Sequence, residues 1–212
     1  MFKQKLKHRF HRTLIGNVFE GYGIKKTYER WLSKDKLVPV SFAKKQLVVK
    51  TFAQKYGIRV FVETGTYLGD MVAAVSNDFD RIYSIELSED LFKQAAKKFA
   101  EYKHITIVHG NSFQVMPEIL RHIDVPCLFW LDGHYSSGNS AKEKKEASLM
   151  KELKQICAHP VKNHVILIND AHLFTGKNDY PTLKFLRTFV ESRLHYYEFD
   201  AQNDIIRIYK KL

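Results

Sequence analysis

Five short apolar runs, each followed by a stretch with helical spacing, constrain this chain more than any other feature. They read RVFVET, RIYSIE, HITIVHG, CLFWLD and HVILIN. Helical patterns follow from Leu68 towards Ser76, over Leu91 to Phe99 with Ser88 as its N-cap, over Ser112 to Arg121, over Ala141 to Cys157 and over Thr182 to Arg193. Strand alternating with helix predicts an α/β protein whose parallel sheet carries helices on both faces. Nearly uniform apolar runs suit strands covered on both sides. The rhythm breaks at the C-terminus, where HYYEFD and DIIRIYK are separated only by AQN. A parallel crossover needs about a dozen residues, so these two runs predict a terminal antiparallel hairpin.

A chain of 212 residues is long enough for one domain with a real core. The net charge of +11 is unevenly placed, because residues 1–36 hold ten Lys or Arg against three acids. That leaves +4 for the rest and predicts a basic helical arm over 1–40 ahead of the main domain, 41–212. Such an arm suits a nucleic acid or an anionic membrane surface, and equally a solvated helix face. No apolar run approaches the ~18 residues of a spanning helix, and the basic N-terminus lacks a secretory apolar stretch. A cytoplasmic location is the expectation. Cys127 and Cys157 have no metal-knuckle or disulfide spacing and read as buried reduced thiols.

The stretch FVETGTYLGDMV joins the first strand to its helix. Ligands of open parallel sheets bind beyond the carboxyl ends of the strands, at the point where strand order reverses. Gly65 and Gly69 permit a left-handed backbone and close approach, and the helix start offers free N–H groups. A tight turn with no ligand has the same composition. The second strand ends on Glu86, 21 residues after Gly65. An acid there can accept from both hydroxyls of a ribose. The dinucleotide pattern G-x-G-x-x-G is absent, and an acid at Glu63 suits a ligand with an ammonium group better than a pyrophosphate.

VETGTYLGDMV, IYSIELSEDL, HGNS, FWLDGHYSSG and HVILINDAHLF, in this order, resemble the motifs of class I S-adenosylmethionine-dependent methyltransferases. Within that superfamily the chain is most similar to the macrocin and catechol O-methyltransferase-like proteins, from about Arg59 to the C-terminus. The resemblance implies a Rossmann-like, seven-stranded, mostly parallel sheet with the terminal hairpin. It implies S-adenosyl-L-methionine as cofactor, with its methionine end at Glu63, Gly65, Thr66 and Gly69 and its ribose at Glu86. Leu87 would lie against the adenine, Asn111 would pair with its edge, and Asp132 would border the reacting end. Ser112 is a second adenine contact or, through its hydroxyl, a helix N-cap.

The resemblance places the acceptor at LDGHYSSG. Asp132, Asn169 and Asp170 would form a Mg²⁺ or Ca²⁺ site, or else a hydrogen-bonded polar cluster. His134 is the expected general base, because an imidazole titrates near neutrality. Asp170 is a second catalytic candidate, and Tyr67, Tyr135 and His172 are expected pocket walls. The expected activity is O-methylation of a sugar or other small molecule bearing a hydroxyl. RNA ribose methylation is the first rival, suggested by the basic arm. The second is a non-catalytic cofactor-binding module that acts through residues 1–36.

Overall fold

The computed structural model describes residues 40–132, 145–177 and 180–211. Residues 1–39, the site of the expected basic arm, and 133–144, which include His134 and Tyr135, lie outside them. A helix α1 (Phe42–Tyr56) leads into β1 (Val60–Thr64), α2 (Asp70–Val75), β2 (Arg81–Glu86), α3 (Glu89–Phe99), β3 (Ile105–His109), α4 (Ser112–Arg121) and β4 (Leu128–Leu131). Then come α5 (Lys145–Ala158), β5 (Val165–Asn169), a 3₁₀ turn (Ala171–Leu173), α6 (Leu183–Glu191), β6 (Tyr197–Gln202) and β7 (Ile205–Lys210).

The seven strands form one sheet in the order β3-β2-β1-β4-β5-β7-β6. β1 to β5 pair in parallel, while β7 runs antiparallel to both β5 and β6. Strand order reverses between β1 and β4, which pair from Phe61 with Leu128 to Thr64 with Leu131. Alternation decides which layer each strand residue joins. Val60 and Val62 pack with Met116, Leu153, Ile156 and Leu186 from α4, α5 and α6. Phe61 points to the opposite face and meets Phe79, with ring centroids 5.0 Å apart. β1, β4 and β5 are buried along their whole lengths, as their uniform apolar runs predict.

Element boundaries follow local chemistry. α1 ends at Gly57, whose φ of 62° closes the last turn. The Ser88 hydroxyl accepts from Leu91 N–H and caps α3. Pro117 lies inside α4 and cannot donate to the carbonyl of Phe113. The side-chain amide of Gln155, from α5, donates to that carbonyl instead, at 2.8 Å. The helix therefore continues, tied to its neighbour.

The terminal hairpin is tighter than the sequence suggests. β6 runs through Gln202, so the connection is Asn203-Asp204, with φ of 54° and 60°. Two consecutive left-handed residues make a type I′ turn, whose twist matches the strands. Both cysteines are buried and free. Among the described residues, no helix is long and apolar enough to cross a membrane.

Candidate cofactor and acceptor site

β1 delivers Glu63 and Thr64 into the interior at the strand reversal. The chain then passes through Gly65 (φ 87°), Tyr67 (φ 49°) and Gly69 (φ 71°) before α2. Gly65 and Thr66 N–H donate to Ile85 C=O at 2.9 and 3.2 Å, which folds this loop over the end of β2. Beneath it, the Ser84 hydroxyl donates to Glu63 Oε2 at 2.5 Å and lies 2.7 Å from the Thr66 hydroxyl. Because Ser84 gives its proton to Glu63, the Thr66 hydroxyl donates to Ser84 and acts on Glu63 only through it. Burial pushes the Glu63 carboxyl well above the ordinary range. Ser84 opposes that shift, and the neighbouring Asp132 and Glu86 add to it.

Glu86 closes β2 and is also buried. One of its oxygens accepts from Tyr67 N–H and the other from Ser88 N–H, both at 2.8 Å. Each keeps a second lone pair for a ligand hydroxyl. Leu87, next along, is exposed and offers an apolar wall. Gly69 has a structural role. A Cβ there would stand 2.6 Å from Phe99 Cε2, so this glycine lets α3 pack against the loop.

At the end of β3 the structure corrects one expectation. Asn111 is the N-cap position of α4 and makes no cap bond through its side chain, while Ser112 is the first helical residue. The Ser112 hydroxyl donates to Glu152 of α5 rather than capping its own helix. Glu152 also accepts from Ser148 at 3.2 Å, and burial raises its carboxyl to about 7.

Asp132 follows β4, with its N–H on Thr64 C=O at 3.1 Å. Asn169 Nδ2 donates to Asp132 Oδ1 at 2.7 Å. Burial lifts the Asp132 carboxyl to about 6. Asn169 and Lys45 pull it down, and Asp170 pushes it up. Asp170 has a left-handed backbone (φ 56°, ψ 49°), and its Oδ1 accepts from Lys45 Nζ of α1 at 3.1 Å. Asp132, Asn169 and Asp170 thus meet as the sequence predicts. As arranged, they do not fit a hard cation, because Lys45 already sets an ammonium on Asp170 and Asn169 turns its amide nitrogen to Asp132.

His172, expected as a pocket wall, has a partner that the sequence reading missed. Its Nδ1 lies 2.8 and 2.9 Å from the two oxygens of Asp204, which also accepts from His172 N–H at 2.8 Å. Asp204 is fully buried in the hairpin turn, and His172 is partly exposed. A carboxylate only accepts, so Nδ1 carries a proton, and in the neutral ring Nε2 is the acceptor nitrogen. Ligand atoms of Asp170, His172 and Asp204 fall within 4.8 Å of one another. The 2.8 Å contacts make the His172–Asp204 part of this group a hydrogen-bonded pair. The available signal was an Asp at the second place of a type I′ turn, where Gly is preferred.

The seven-stranded sheet in this order is a fold shared with solved methyltransferases. The O-methyltransferase TomG from Streptomyces achromogenes, involved in tomaymycin synthesis and solved with S-adenosylmethionine, superposes with a TM-score of 0.55 at 16% identity. That match covers 90% of this chain and 89% of TomG. An O-methyltransferase from Bacillus cereus, in complex with S-adenosylhomocysteine, gives 0.57 at 15% identity over 89% of this chain and 88% of its own. The S-adenosylhomocysteine-bound Podospora anserina methyltransferase PaMTH1 gives 0.52 at 15% identity, covering 82% and 80%. No protein-family model matches the chain, nor does any curated protein sequence.

Proposed function

We propose that this protein is an S-adenosylmethionine-dependent methyltransferase acting on a hydroxyl of a sugar or other small molecule. The observation that carries the reading is the row of acids on adjacent strands: Glu86 on β2, Glu63 on β1 and Asp132 after β4. Burial and mutual repulsion make Glu63 costly to ionise. A ligand with a cationic amino-acid end and a ribose diol answers both needs. Its ammonium would neutralise the charge near Glu63, and its diol would take the free lone pairs of Glu86. The cofactor, when bound, supplies an activated methyl group.

The chain's own residues divide the remaining work. Glu63 and Gly65 hold the amino-acid end, Glu86 the ribose, and Leu87 and Asn111 the base. Asp132 and Asp170 orient the acceptor, and positioning of this kind supplies much of the rate in a methyl transfer. His172 takes the hydroxyl proton at Nε2, and Asp204 holds the ring in that tautomer and stabilises the imidazolium. His134, the base expected from the sequence, lies outside the described residues. The pairing of His172 with a buried acid at the acceptor end favours hydroxyl methylation over a non-catalytic module. An RNA ribose acceptor would draw on residues 1–36 and would make transfer salt-sensitive.

Calorimetric titration with S-adenosylmethionine, followed by mass spectrometry of hydroxyl acceptors incubated with enzyme and cofactor, tests the reading. Stoichiometric binding and a methylated acceptor are expected. No affinity for the cofactor would sink it.

A further inference from the structure

The Asp132–Asn169–Asp170 cluster already contains a cation. Lys45 reaches from α1, 125 positions away in sequence, and places Nζ 3.1 Å from Asp170 Oδ1. Its side chain is 14% exposed and that of Asp170 27%, so the pair is largely withdrawn from water. The charge of Lys45 is also felt at Asp132, where it opposes the rise that burial causes. Asn169 makes the arrangement specific. It is 4% exposed, donates to Asp132 Oδ1, and leaves its own oxygen buried and unpartnered.

A divalent ion shared by these three side chains would require the Asn169 amide to turn its oxygen inwards. The same ion would meet an ammonium beside Asp170, and like charges in a partly dry site repel strongly. The Asn169 amide can turn over to offer that oxygen, so the lysine is what keeps a metal out.

We infer that Lys45 is the resident cation of the acceptor site, standing beside Asp170 and Asp132 where a hard divalent ion would otherwise sit. Asp170 uses one of its three N–H donors, and the others are available to an oxygen of the acceptor. The ligand class is a hydroxylated acceptor whose oxygen is positioned by an ammonium, with no requirement for Mg²⁺ or Ca²⁺. This inference rests on the methyltransferase reading for the identity of the acceptor. The exclusion of a metal can be measured without it.

The test is a Mn²⁺ titration of the full chain, followed by electron paramagnetic resonance of the free ion, with neither cofactor nor acceptor present. Wild type is expected to show no stoichiometric site at millimolar Mn²⁺. Lys45→Met should gain a site at least about 10-fold tighter, and adding Asp132→Asn to that variant should remove it. Lys45→Arg should keep the wild-type exclusion. Circular dichroism checks folding, and Lys45→Gln replaces the Met variant if that one does not fold. A wild-type site abolished by Asp170→Asn would overturn the inference. So would Lys45 variants that bind Mn²⁺ no better than wild type. Failure of the methyltransferase reading would appear elsewhere, as absent affinity for S-adenosylmethionine.

Discussion

The imidazole of His172 is clamped by Asp204, 32 positions later, through Nδ1 at 2.8 and 2.9 Å and the backbone N–H at 2.8 Å. Asp204 has a left-handed backbone at φ 60° and is fully buried. Asp is one of the few residues other than Gly that tolerate this conformation. The turn therefore closes the hairpin and also presents an acid to the histidine.

His172→Ala should lower kcat by about 10²–10⁴-fold, the range for loss of a positioned general base, with little change in cofactor affinity. Asp204→Asn preserves the turn and should cost less. Steady-state kinetics of S-adenosylhomocysteine formation check both. Equal activity of wild type and His172→Ala would remove the histidine from the chemistry.

Glu86→Ala should weaken S-adenosylmethionine binding by about 1.5–3 kcal/mol, the cost of losing charge-assisted hydrogen bonds. This corresponds to about 10–150-fold in Kd. Isothermal titration calorimetry gives the number, and unchanged affinity would refute the ribose contact.

Glu63 has its folded-state carboxyl raised above the unfolded value, chiefly by burial. Its contribution to stability is complete below the unfolded value and lost as pH rises through the folded one. Glu63→Gln should therefore raise the Tm of the ligand-free protein at neutral pH while weakening cofactor binding. Wild-type binding should release a proton, visible as a dependence of binding enthalpy on buffer ionisation. A Gln variant that melts lower and binds normally would contradict both parts.

At the opposite ends of β4 and β5, Cys127 N–H donates to His164 Nδ1 at 3.0 Å. His164 Nε2 lies 3.0 Å from His159 Nδ1, and His159 Nε2 lies 2.9 Å from Leu120 C=O. In this ordered chain His164 is uncharged, and burial lowers it from 6.5 to about 4. The unfolded chain binds the extra proton between those values, so stability is complete above 6.5 and falls as pH drops towards 4. The loss is on the order of 3 kcal/mol at 1.36 kcal/mol per pH unit. Urea denaturation at a series of pH values should show it. His164→Gln should flatten the slope.

Gly69→Ala should destabilise the fold by about 1–3 kcal/mol through overpacking, because its Cβ would press on Phe99 and φ is 71°. Adding Phe99→Leu should recover the packing part and leave the cost of the left-handed backbone. Denaturant unfolding of the two variants separates the contributions. A lone Gly69→Ala that melts like wild type would show that the loop shifts freely.

The five strand–helix units, the terminal hairpin and the acid at the end of β2 were legible in the sequence alone. Periodicity, caps and turn residues act over a few positions, so a linear reading captures them. Glu63, Glu86 and Asp132 were legible for the same reason, since each stands at or beside the end of an apolar strand. What only the tertiary structure decided was pairing between elements: Lys45 with Asp170, Ser112 with Glu152, and His172 with Asp204. These depend on how each helix is rotated over the sheet and on a one-residue choice of hairpin register. Moving the turn from AQN to Asn203-Asp204 determines where the Asp204 side chain points, and so whether His172 is a wall or a base. No local pattern specifies that rotation or register, because both result from packing the two faces of the sheet together.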